Sequence, residues 1–414
     1  MKRYLDDSVA HDLQHKLVFV TGPRQVGKTT LSRLLLDANR QGGQGVYLNY
    51  DVARDRVQIE RQSWPADAQL VVLDELHKMP DWKTWLKGVI DAVKGDVTAG
   101  KTAKQQLLVT GSARMDTFRQ SGDSLAGRFL SWRLHPISVR EWCDFGEHGA
   151  TSGADAVSAQ VLAEQTLEKL LLRGGFPEPF LAESDVAAQR WRRQYADGLV
   201  REDVLEFSRI QELGSMRVLL DLLRDRVGSP LSLASLARDL QLSQPTIKRY
   251  LDILQALYIV FLVQPWHRNI ARSLQQAPKV YFYDTGMVGT QALDELRDNE
   301  RTTVMGARFE NTTALMLLKN IHFQQDAYGK AADLHYLRTK DGAEIDFALS
   351  SGSKLTHLIE CKWSDATPAR AFANFGKCWP DAKAIQVVRH LPKAEYYKGV
   401  DIVNAAAYFR QLEV

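Results

Sequence analysis

The sequence predicts an α/β fold built on a parallel sheet, followed by a mainly helical middle region and a second α/β region. Short apolar runs alternate with helical stretches in the first region, which is the pattern of a doubly wound parallel sheet. The chain has 414 residues, 45% of them apolar and 25% charged, which suits two or three domains with ordinary cores. The predicted strands of the first region are Lys16–Thr21, Gly45–Asn49, Leu70–Leu73 and Gln106–Thr110.

A glycine-rich loop follows the first predicted strand and has the pattern G-x-x-x-x-G-K-[ST]. In such loops backbone N–H groups surround the phosphates, and the next helix directs its positive end at the anion. We expect Lys28 to reach the β- and γ-phosphates of ATP and the Thr29 hydroxyl to bind Mg²⁺. A glycine-rich turn before a core helix is the alternative. The predicted ATP-binding residues here are Gly22, Pro23, Arg24, Gln25, Val26, Gly27, Lys28, Thr29 and Thr30.

An acidic pair ends another apolar run. Leu70–Leu73 is continuously apolar, as expected of a strand buried on both faces of a parallel sheet, and Asp74 and Glu75 follow it. We expect Asp74 to hold the Mg²⁺ through water and Glu75 to polarise the water that attacks the γ-phosphate. A surface acidic pair is the alternative, but such pairs seldom follow buried apolar runs. The pair predicts hydrolysis as well as binding.

A third apolar run ends in Thr110-Gly111-Ser112. A hydroxyl at this point, that of Ser112 in particular, could sense the γ-phosphate from the neighbouring strand. Thr-Gly-Ser is also an ordinary turn sequence, so both interpretations stay open at this stage.

Charge and cysteine usage restrict the partners and the compartment. The net charge is only +3, so any affinity for nucleic acid must come from a local patch. Cys143, Cys361 and Cys378 are far apart and give neither a disulfide framework nor a metal-ligand spacing. No signal peptide is visible, and the longest apolar run, around Ile253–Val263, is too short to span a bilayer. We therefore expect a cytoplasmic protein without a membrane partner.

The first region resembles the AAA-type ATPases of bacteria and archaea in which G-P-R-Q-V-G-K-T is followed by L-D-E-x-x-K. The resemblance covers nearly the whole chain and implies a helical lid and a C-terminal domain of restriction-endonuclease type. The predicted domains are 1–147 for the ATPase core, 156–228 for the lid, 229–290 for a winged-helix-like unit and 300–414 for the C-terminal α/β domain. The matching segments are Leu73–Lys78, Gly111-Ser112, Ser124–Arg128, Leu134–Glu141 and Gly174–Pro177.

The resemblance also suggests an arginine finger. Arg128 or Arg133 would act in trans on the ATP of a neighbouring subunit, within a homo-oligomer of hexamer-like ring form. A guanidinium placed on the charge that develops in the transition state can raise the rate by several powers of ten. The alternative is a surface arginine that pairs with an acidic neighbour.

The sequence pattern of residues 231–257 predicts a helix-turn-helix. Apolar spacing marks one helix up to Leu240, and Ser243 is a suitable N-cap for a second helix that buries Ile247, Leu251, Leu254 and Leu257. The segment Tyr258–Val263 and the basic residues after it could form a wing. A plain packing module is the alternative to a DNA-binding unit. The residues predicted to contact DNA are Gln244, Thr246, Lys248 and Arg249.

The C-terminal region holds a second group of acidic residues. Asp346 lies in a predicted strand over residues 343–349, and Glu360 and Lys362 lie on one face of a later strand. With Glu310, placed at the start of a predicted helix, they have the pattern of PD-(D/E)xK nucleases. Asp346 and Glu360 could hold a second Mg²⁺, and Lys362 could orient a water molecule. A cross-strand salt bridge, or a nuclease fold that only binds DNA, are the alternatives.

Three functions follow from these motifs. The favoured one is an ATPase that moves or remodels DNA, branched DNA in particular, as a ring-forming motor. The second is an ATP-gated, Mg²⁺-dependent nuclease. The third is a nucleotide-controlled regulatory or defence switch with protein partners.

Overall fold

The computed structural model describes residues 1–39, 44–98, 105–111, 127–146, 156–198, 213–267, 277–289, 291, 293, 295–339 and 341–414. The chain divides into two compact units, Met1–His135 and Pro136–Val414. The finer division into four domains stays a prediction. No helix formed by these residues combines the length and the apolar character that a membrane span requires.

The first unit contains the parallel sheet that the sequence predicts. The four predicted strands are confirmed, and a further strand, β5, was missed because Ser131 and Arg133 interrupt its apolar run. The strands are β1 (Leu17–Thr21), β2 (Gly45–Asn49), β3 (Leu70–Asp74), β4 (Gln106–Gly111) and β5 (Phe129–Arg133), in the order β2-β3-β4-β1-β5. The helices are α1 (Asp6–Leu13), α2 (Lys28–Asn39), α3 (Ala53–Glu60) and α4 (Trp82–Thr98).

Burial explains why these runs form central strands. Every side chain of β1 and β3 is buried, and Phe19, Leu73 and Val109 pack in one cluster with Leu86 of α4. Each such side chain contributes about 1.5–3 kcal/mol when fully removed from water. Since the strands are parallel, their carboxyl ends share one edge of the sheet. That edge contains the glycine-rich loop, Asp74 and the end of β4.

The second unit contains a mixed sheet in the order β12-β13-β11-β10-β9-β8-β6-β7. Its strands are β6 (Val260–Pro265), β7 (Lys279–Phe282), β8 (Ala332–Arg338), β9 (Glu344–Ser351), β10 (Lys354–Lys362), β11 (Lys383–Val388), β12 (Glu395–Tyr397) and β13 (Val400–Asn404). Its helices are α5 (Val139–Phe145), α6 (Ala156–Arg173), α7 (Pro177–Leu181), α8 (Asp185–Gly198), α9 (Leu213–Arg224), α10 (Leu233–Leu240), α11 (Gln244–Ala256), α12 (Asp298–Tyr328), α13 (Arg370–Cys378) and α14 (Ala405–Arg410).

Helix α12 corrects one expectation. Glu310 lies in the middle of this 31-residue helix, which begins at Asp298, and not at its start. The first turns are exposed and polar, so they carry no apolar spacing that would reveal them. The Glu300 carboxylate accepts a hydrogen bond from the Arg297 N–H at 3.0 Å and caps the true beginning.

The segment Leu134–Glu141 contains a buried ion pair. Lys319 of α12 donates to Glu141 at 2.5 Å, to the Ser138 hydroxyl at 3.0 Å and to the Pro136 carbonyl at 3.1 Å. Both charged side chains are fully enclosed. The motif L-x-P-x-S-x-x-E therefore supplies the partners of one buried ammonium group, which is a structural role.

The segment Gly174–Pro177 connects α6 to α7. Gly174 has φ +81°, and a Cβ there would lie 1.7 Å from the buried carboxylate of Asp284, so glycine is required. The Gly175 N–H donates to the same carboxylate at 3.2 Å. Arg173 pairs with Asp185 at 2.6 Å, which is a second structural contact in this segment.

Helices α10 and α11 lie where two helices are predicted. The Ser243 hydroxyl accepts from the Thr246 N–H at 3.2 Å and caps α11, and Gln241 takes a left-handed conformation in the turn. Strand β6 follows and pairs with β7 as an antiparallel hairpin. Arg268 and Asn269, at the end of the predicted wing, lie outside the described residues.

Candidate functional site

The glycine-rich loop joins β1 to α2 in a conformation that depends on its glycines. Gly22 and Gly27 have φ +150° and +106°, and a Cβ on Gly22 would lie 2.3 Å from the Leu134 carbonyl oxygen. Gln25 is also left-handed, with φ +60°. Thr29 and Thr30 stand in the first turn of α2, at the end of the helix that favours anions. The loop and the helix together match the geometry of a phosphate-binding site.

Lys28 is the first residue of α2, directly after this loop, and is 6% exposed. Its ammonium group donates to the carbonyl oxygens of Gly22 at 2.9 Å and Pro23 at 2.7 Å. These partners are neutral backbone groups of the same loop. An anion that enters the loop could attract the ammonium group away from these two carbonyl oxygens.

Asp74 is the centre of a hydrogen-bond network and is 2% exposed. Its Oδ2 accepts from the Thr29 hydroxyl at 3.0 Å and from the Tyr47 hydroxyl, and its Oδ1 accepts from the Thr110 hydroxyl and the Glu75 N–H. The structure thus brings together the hydroxyl and the carboxylate that the sequence predicts for Mg²⁺. Hydroxyl and carboxylate oxygens are hard ligands, so these residues fit this ion.

Two of these hydroxyl groups have roles that the sequence did not predict. Tyr47 lies on β2, and burial together with Asp74 raises its pKa, which keeps the phenol protonated and donating. The Thr110 hydroxyl donates to Asp74. It therefore orients that carboxylate and is not directed at a phosphate. The register of β3 with its two neighbours places both hydroxyls here. Ser112, the predicted sensor, lies outside the described residues.

Glu75 follows Asp74 in a left-handed conformation with φ +56°. That conformation is uncommon for a residue with a side chain and indicates a constraint at this point. Burial raises the pKa of Glu75, while the positive charge of Lys28 opposes the change. The Nε2 atom of buried His77 lies 3.5 Å from Glu75 Oε2, a contact that the sequence did not reveal.

The two candidate finger arginines lie at the start and at the end of the segment that contains β5. Arg128 forms an ion pair with Asp91 of α4, and the side chains of this pair are 28% and 51% exposed. The backbone carbonyl of Arg133 accepts a hydrogen bond from the Tyr4 hydroxyl at 2.7 Å, and its side chain is half-buried. An exposed pair of this kind contributes only about 0.2–1 kcal/mol, so Arg128 can be drawn to another anion at little cost.

The second unit gathers the acidic residues of the predicted nuclease site. Strands β9 and β10 pair antiparallel, and the Asp346 N–H donates to Glu360 Oε2 at 3.3 Å. Lys362 donates to Glu360 Oε1 at 2.8 Å, and the Cys361 N–H donates to Asp346 Oδ2 at 2.9 Å. Glu310 of α12 joins this group through residues on β7.

Three residues of this cluster were not predicted, namely Lys279, Tyr281 and Glu344. The Tyr281 hydroxyl donates to Glu310 at 2.8 Å. The ammonium group of Lys279 lies 2.5 Å from Glu344, 3.4 Å from Glu310 and 3.6 Å from Asp346. Glu344 could have been found, because it stands two residues before Asp346 and so shares its face. Lys279 is distant in the sequence, and its strand carries no signal for this contact.

The electrostatics of the cluster follow from its burial. Desolvation and the repulsion of Asp346 raise the pKa of Glu310 and that of Glu360 to about 7, with Lys279 and Lys362 respectively opposing the change. Burial would lower the pKa of Lys279, but the attraction of the surrounding carboxylates outweighs it and holds that pKa above its ordinary value. No group of three or more His, Cys, Asp or Glu side chains within the described ranges is arranged to hold a metal ion. The cluster differs from the site at Asp74 because an ammonium group, that of Lys279, already lies among its carboxylates.

The outer face of α11 carries the residues predicted to contact DNA. Gln244, Lys248 and Arg249 are exposed and Thr246 is half-buried, while the Ile247 side chain points into the core. The other side chains that were predicted to be buried, those of Leu251, Leu254 and Leu257, are also buried. The helix is thus amphipathic as expected, with a polar and basic side exposed to solvent.

Family models match three segments of the chain. Residues 14–143 match the model described as an AAA domain. Residues 164–299 and 305–408 match two domains of unknown function, DUF8612 and DUF4143. The nucleotide motifs therefore fall inside the AAA match, and the carboxylate cluster lies across the other two.

Curated relatives give a wider match without a described activity. An uncharacterised protein of Mycobacterium tuberculosis is 30% identical over 340 residues, which is 80% of this chain and 66% of that protein. An uncharacterised protein of Methanocaldococcus jannaschii is 22% identical over 195 residues, covering 46% of this chain and 42% of that protein. The chain thus spans just under two thirds of the length of the mycobacterial relative.

Solved structures are similar only at a low level. The AMPPCP-bound DnaA of Aquifex aeolicus has a TM-score of 0.31 at 13% identity, over 60% of this chain and 86% of that chain. The RuvB Holliday junction branch migration motor of Thermotoga maritima has a TM-score of 0.28 at 14% identity, over 62% and 88%. TM-scores this low support no argument here. On the motifs, the parallel sheet and the family match, residues 14–143 form an AAA-type P-loop ATPase domain.

Proposed function

We propose that this protein hydrolyses ATP and uses the energy to act on DNA, as a ring-forming motor or remodeller of branched DNA. The observation that carries the hydrolysis is the meeting of Lys28, Thr29, Asp74 and Glu75 at one edge of the parallel sheet. The observation that supports DNA as the partner is the polar and basic outer side of α11.

Hydrolysis needs phosphate binding, a metal site and a positioned water molecule. Lys28 would exchange the Gly22 and Pro23 carbonyls for the β- and γ-phosphates, while the loop N–H groups hold the α- and β-phosphates. Thr29 and Asp74 would hold the Mg²⁺, which neutralises charge on the phosphates when bound. Glu75 would accept a proton from the attacking water. Its raised pKa makes it a better proton acceptor than an exposed carboxylate.

DNA contact would use the exposed side of α11. Lys248 and Arg249 suit phosphate oxygens, and Gln244 and Thr246 can donate to phosphates or to base edges. A net charge of +3 gives the chain no strong overall field, so contact would depend on this patch. Lys248→Ala with Arg249→Ala should reduce DNA affinity and the salt dependence of binding together.

The first experiment compares ATP hydrolysis with Mg²⁺ in four conditions: no nucleic acid, single strands, linear duplex and a four-way junction. Strong stimulation by one form, lost in the Lys248→Ala/Arg249→Ala variant, is the expected result and identifies the DNA class. Equal turnover in all four conditions would contradict a DNA-coupled motor. It would favour the nucleotide-controlled switch with protein partners instead.

The ring assignment rests on an arginine that acts in trans. Arg128 is held by an exposed pair with Asp91, which a neighbouring subunit's ATP could replace. Lys28→Ala subunits would lack ATP but keep the finger, and Arg128→Ala subunits would keep ATP but lack it. Mixing these two inactive variants should restore part of the turnover, because some interfaces combine a working site with a working finger. Arg133→Ala tested in the same way distinguishes the two candidate residues.

Mixed variants that stay inactive, although each still assembles with wild-type subunits, would contradict a finger in trans at either arginine. The oligomer size, measured by light scattering with Glu75→Gln and ATP, would then show whether a ring forms at all. A chain that stays monomeric with bound ATP would contradict the ring.

A further inference from the structure

The cluster in the second unit already contains a buried cation. The Lys279 ammonium group lies among the carboxylates of Glu310, Glu344 and Asp346 at 3.4, 2.5 and 3.6 Å, and the residue is 1% exposed. A lysine is rarely buried to this extent unless it is paired. Here the ammonium group lies among acidic residues that include Glu310 and Asp346 of the predicted metal site.

Both carboxylate oxygens of each predicted metal ligand, Asp346 and Glu360, already face a positively charged group or an N–H donor. Asp346 faces Lys279 through Oδ1 and accepts from the Cys361 N–H through Oδ2. Glu360 accepts from Lys362 through Oε1 and from the Asp346 N–H through Oε2. Two of these donors are backbone N–H groups of paired strands, so they cannot turn away. A divalent ion would have to displace Lys279 and to compete with these donors.

Contacts of strand β7 with β6 and α12 hold Lys279 beside these carboxylates. It lies on β7, which pairs with β6 in the hairpin after α11, and Lys279 is opposite Val263. Tyr281 is two residues further on the same strand and donates to Glu310 at 2.8 Å. The side chain of Asn311, next to Glu310 on α12, accepts from the Phe282 N–H at 2.7 Å and donates to the Phe282 carbonyl at 3.0 Å. Strand β7 is therefore held against α12 at successive residues, which fixes the backbone that carries Lys279.

We infer that Lys279 occupies the cation position of the nuclease-like cluster, so that the folded chain holds no divalent metal ion at Asp346 and Glu360. The cluster instead connects the hairpin β6–β7 to α12 and β9. This inference is independent of the proposed DNA motor, since an ATPase of any kind could carry the cluster. The chain would then carry the sequence pattern of a nuclease without the metal ion that nuclease chemistry needs.

Binding of Mn²⁺ to the nucleotide-free full chain tests the inference, with free Mn²⁺ followed by electron paramagnetic resonance. The wild type and Asp346→Asn should give the same binding curve, because neither holds an ion at this cluster. Lys279→Ala should gain about one Mn²⁺ per chain with at least 10-fold tighter binding than the wild type. Adding Asp346→Asn to Lys279→Ala should remove that ion again.

A wild-type site for Mn²⁺ that Asp346→Asn abolishes would overturn the inference, and so would a folded Lys279→Ala chain that gains no ion. The first comparison uses only the wild type and a conservative variant, so it decides the question even if Lys279→Ala does not fold. Circular dichroism of each variant establishes its folding. Failure of DNA to stimulate ATP hydrolysis would leave this outcome unchanged.

Discussion

Two lysines, one in each unit, show how the partners of a buried ammonium group decide its use. Lys28 and Lys279 are 6% and 1% exposed, so burial does not distinguish them. Lys28 bonds to carbonyl oxygens of its own loop, whereas Lys279 lies among three carboxylates from two elements. A cation that is bonded to the carbonyl oxygens of a phosphate-binding loop can be transferred to an anionic ligand. A cation held by buried carboxylates is part of the structure, because removing it exposes uncompensated charge.

The carboxylates of the two sites differ in the same way. Asp74 accepts bonds mainly from the hydroxyl groups of Thr29, Tyr47 and Thr110, which are neutral donors that can rotate. Asp346 faces an ammonium group and a strand N–H. Substitutions at the two sites should therefore separate function from stability.

The largest effect is expected for Lys28→Ala. Turnover should fall to background and nucleotide affinity should drop, because the ammonium group is the main charge that the loop offers to the phosphates. Steady-state hydrolysis and binding of a fluorescent ATP analogue measure both, with the exposed Lys16→Ala as control. Retained hydrolysis would remove the phosphate-loop assignment.

Glu75→Gln comes next and should lower turnover by about 100- to 10,000-fold, the usual contribution of a general base. ATP binding should be unchanged, because Lys28 and Thr29 are intact. Single-turnover hydrolysis with a parallel binding measurement separates the two effects. Wild-type turnover in this variant would mean that another residue positions the water.

Lys319→Met extends the comparison to a third buried lysine. It removes the ammonium group that donates to the fully enclosed Glu141, which should cost about 3–5 kcal/mol of unfolding free energy. Denaturant unfolding measures this loss, and Lys330→Met, which removes an exposed lysine 3.8 Å from Glu413, should cost less than about 1 kcal/mol. Equal effects in the two variants would contradict the structural role.

The pH dependence of stability should change in Glu360→Gln. The pKa of Glu360 is raised from 4.5 to about 7, so the folded chain keeps a proton that the unfolded chain releases between these values. The contribution of Glu360 is therefore fully present below pH 4.5 and is lost as the pH rises to about 7. The wild-type unfolding free energy minus that of the variant should fall by about 1–3 kcal/mol over this window. A constant difference would contradict the raised pKa.

The smallest effect is expected for Tyr47→Phe. Asp74 keeps Thr29 and Thr110 as donors, so the loss of one hydrogen bond, about 0.5–1.5 kcal/mol, should lower turnover by about 2- to 12-fold. The matched control is Tyr50→Phe, which removes a hydroxyl that contacts Glu60 at 3.2 Å, away from Asp74. A Tyr47→Phe chain as active as the control would show that the Tyr47 hydroxyl does not orient Asp74.

Local patterns predicted the nucleotide site because its parts are adjacent in sequence or end neighbouring strands. The loop around Lys28 and the pair Asp74-Glu75 needed only motif spacing and an apolar run. Tyr47 could not be predicted, since its contact depends on the register between β2 and β3. The same limit applies to Lys279, which reaches Asp346 because β6 and β7 extend the C-terminal sheet.

The acidic cluster shows what a sequence pattern leaves open. The pattern brought Glu310, Asp346, Glu360 and Lys362 together, and the structure places them in one cluster. The pattern could not distinguish a metal site from an ion-pair cluster, because the ammonium group among the carboxylates is that of Lys279, which lies in another part of the chain. The start of α12 was missed for a related reason, since its first turns are solvated and carry no apolar period.

The pairing of β6 with β8 has a practical consequence for dissecting the protein. Gln264 and Pro265 pair with His335 and Tyr336, and the Trp266 N–H donates to the Tyr336 carbonyl at 2.8 Å. A fragment that begins near residue 300 would lose this neighbour and Lys279 together. It would expose the edge of β8, which favours aggregation, and would carry unbalanced carboxylates. Metal uptake by such a fragment would therefore report the truncation and not the intact protein.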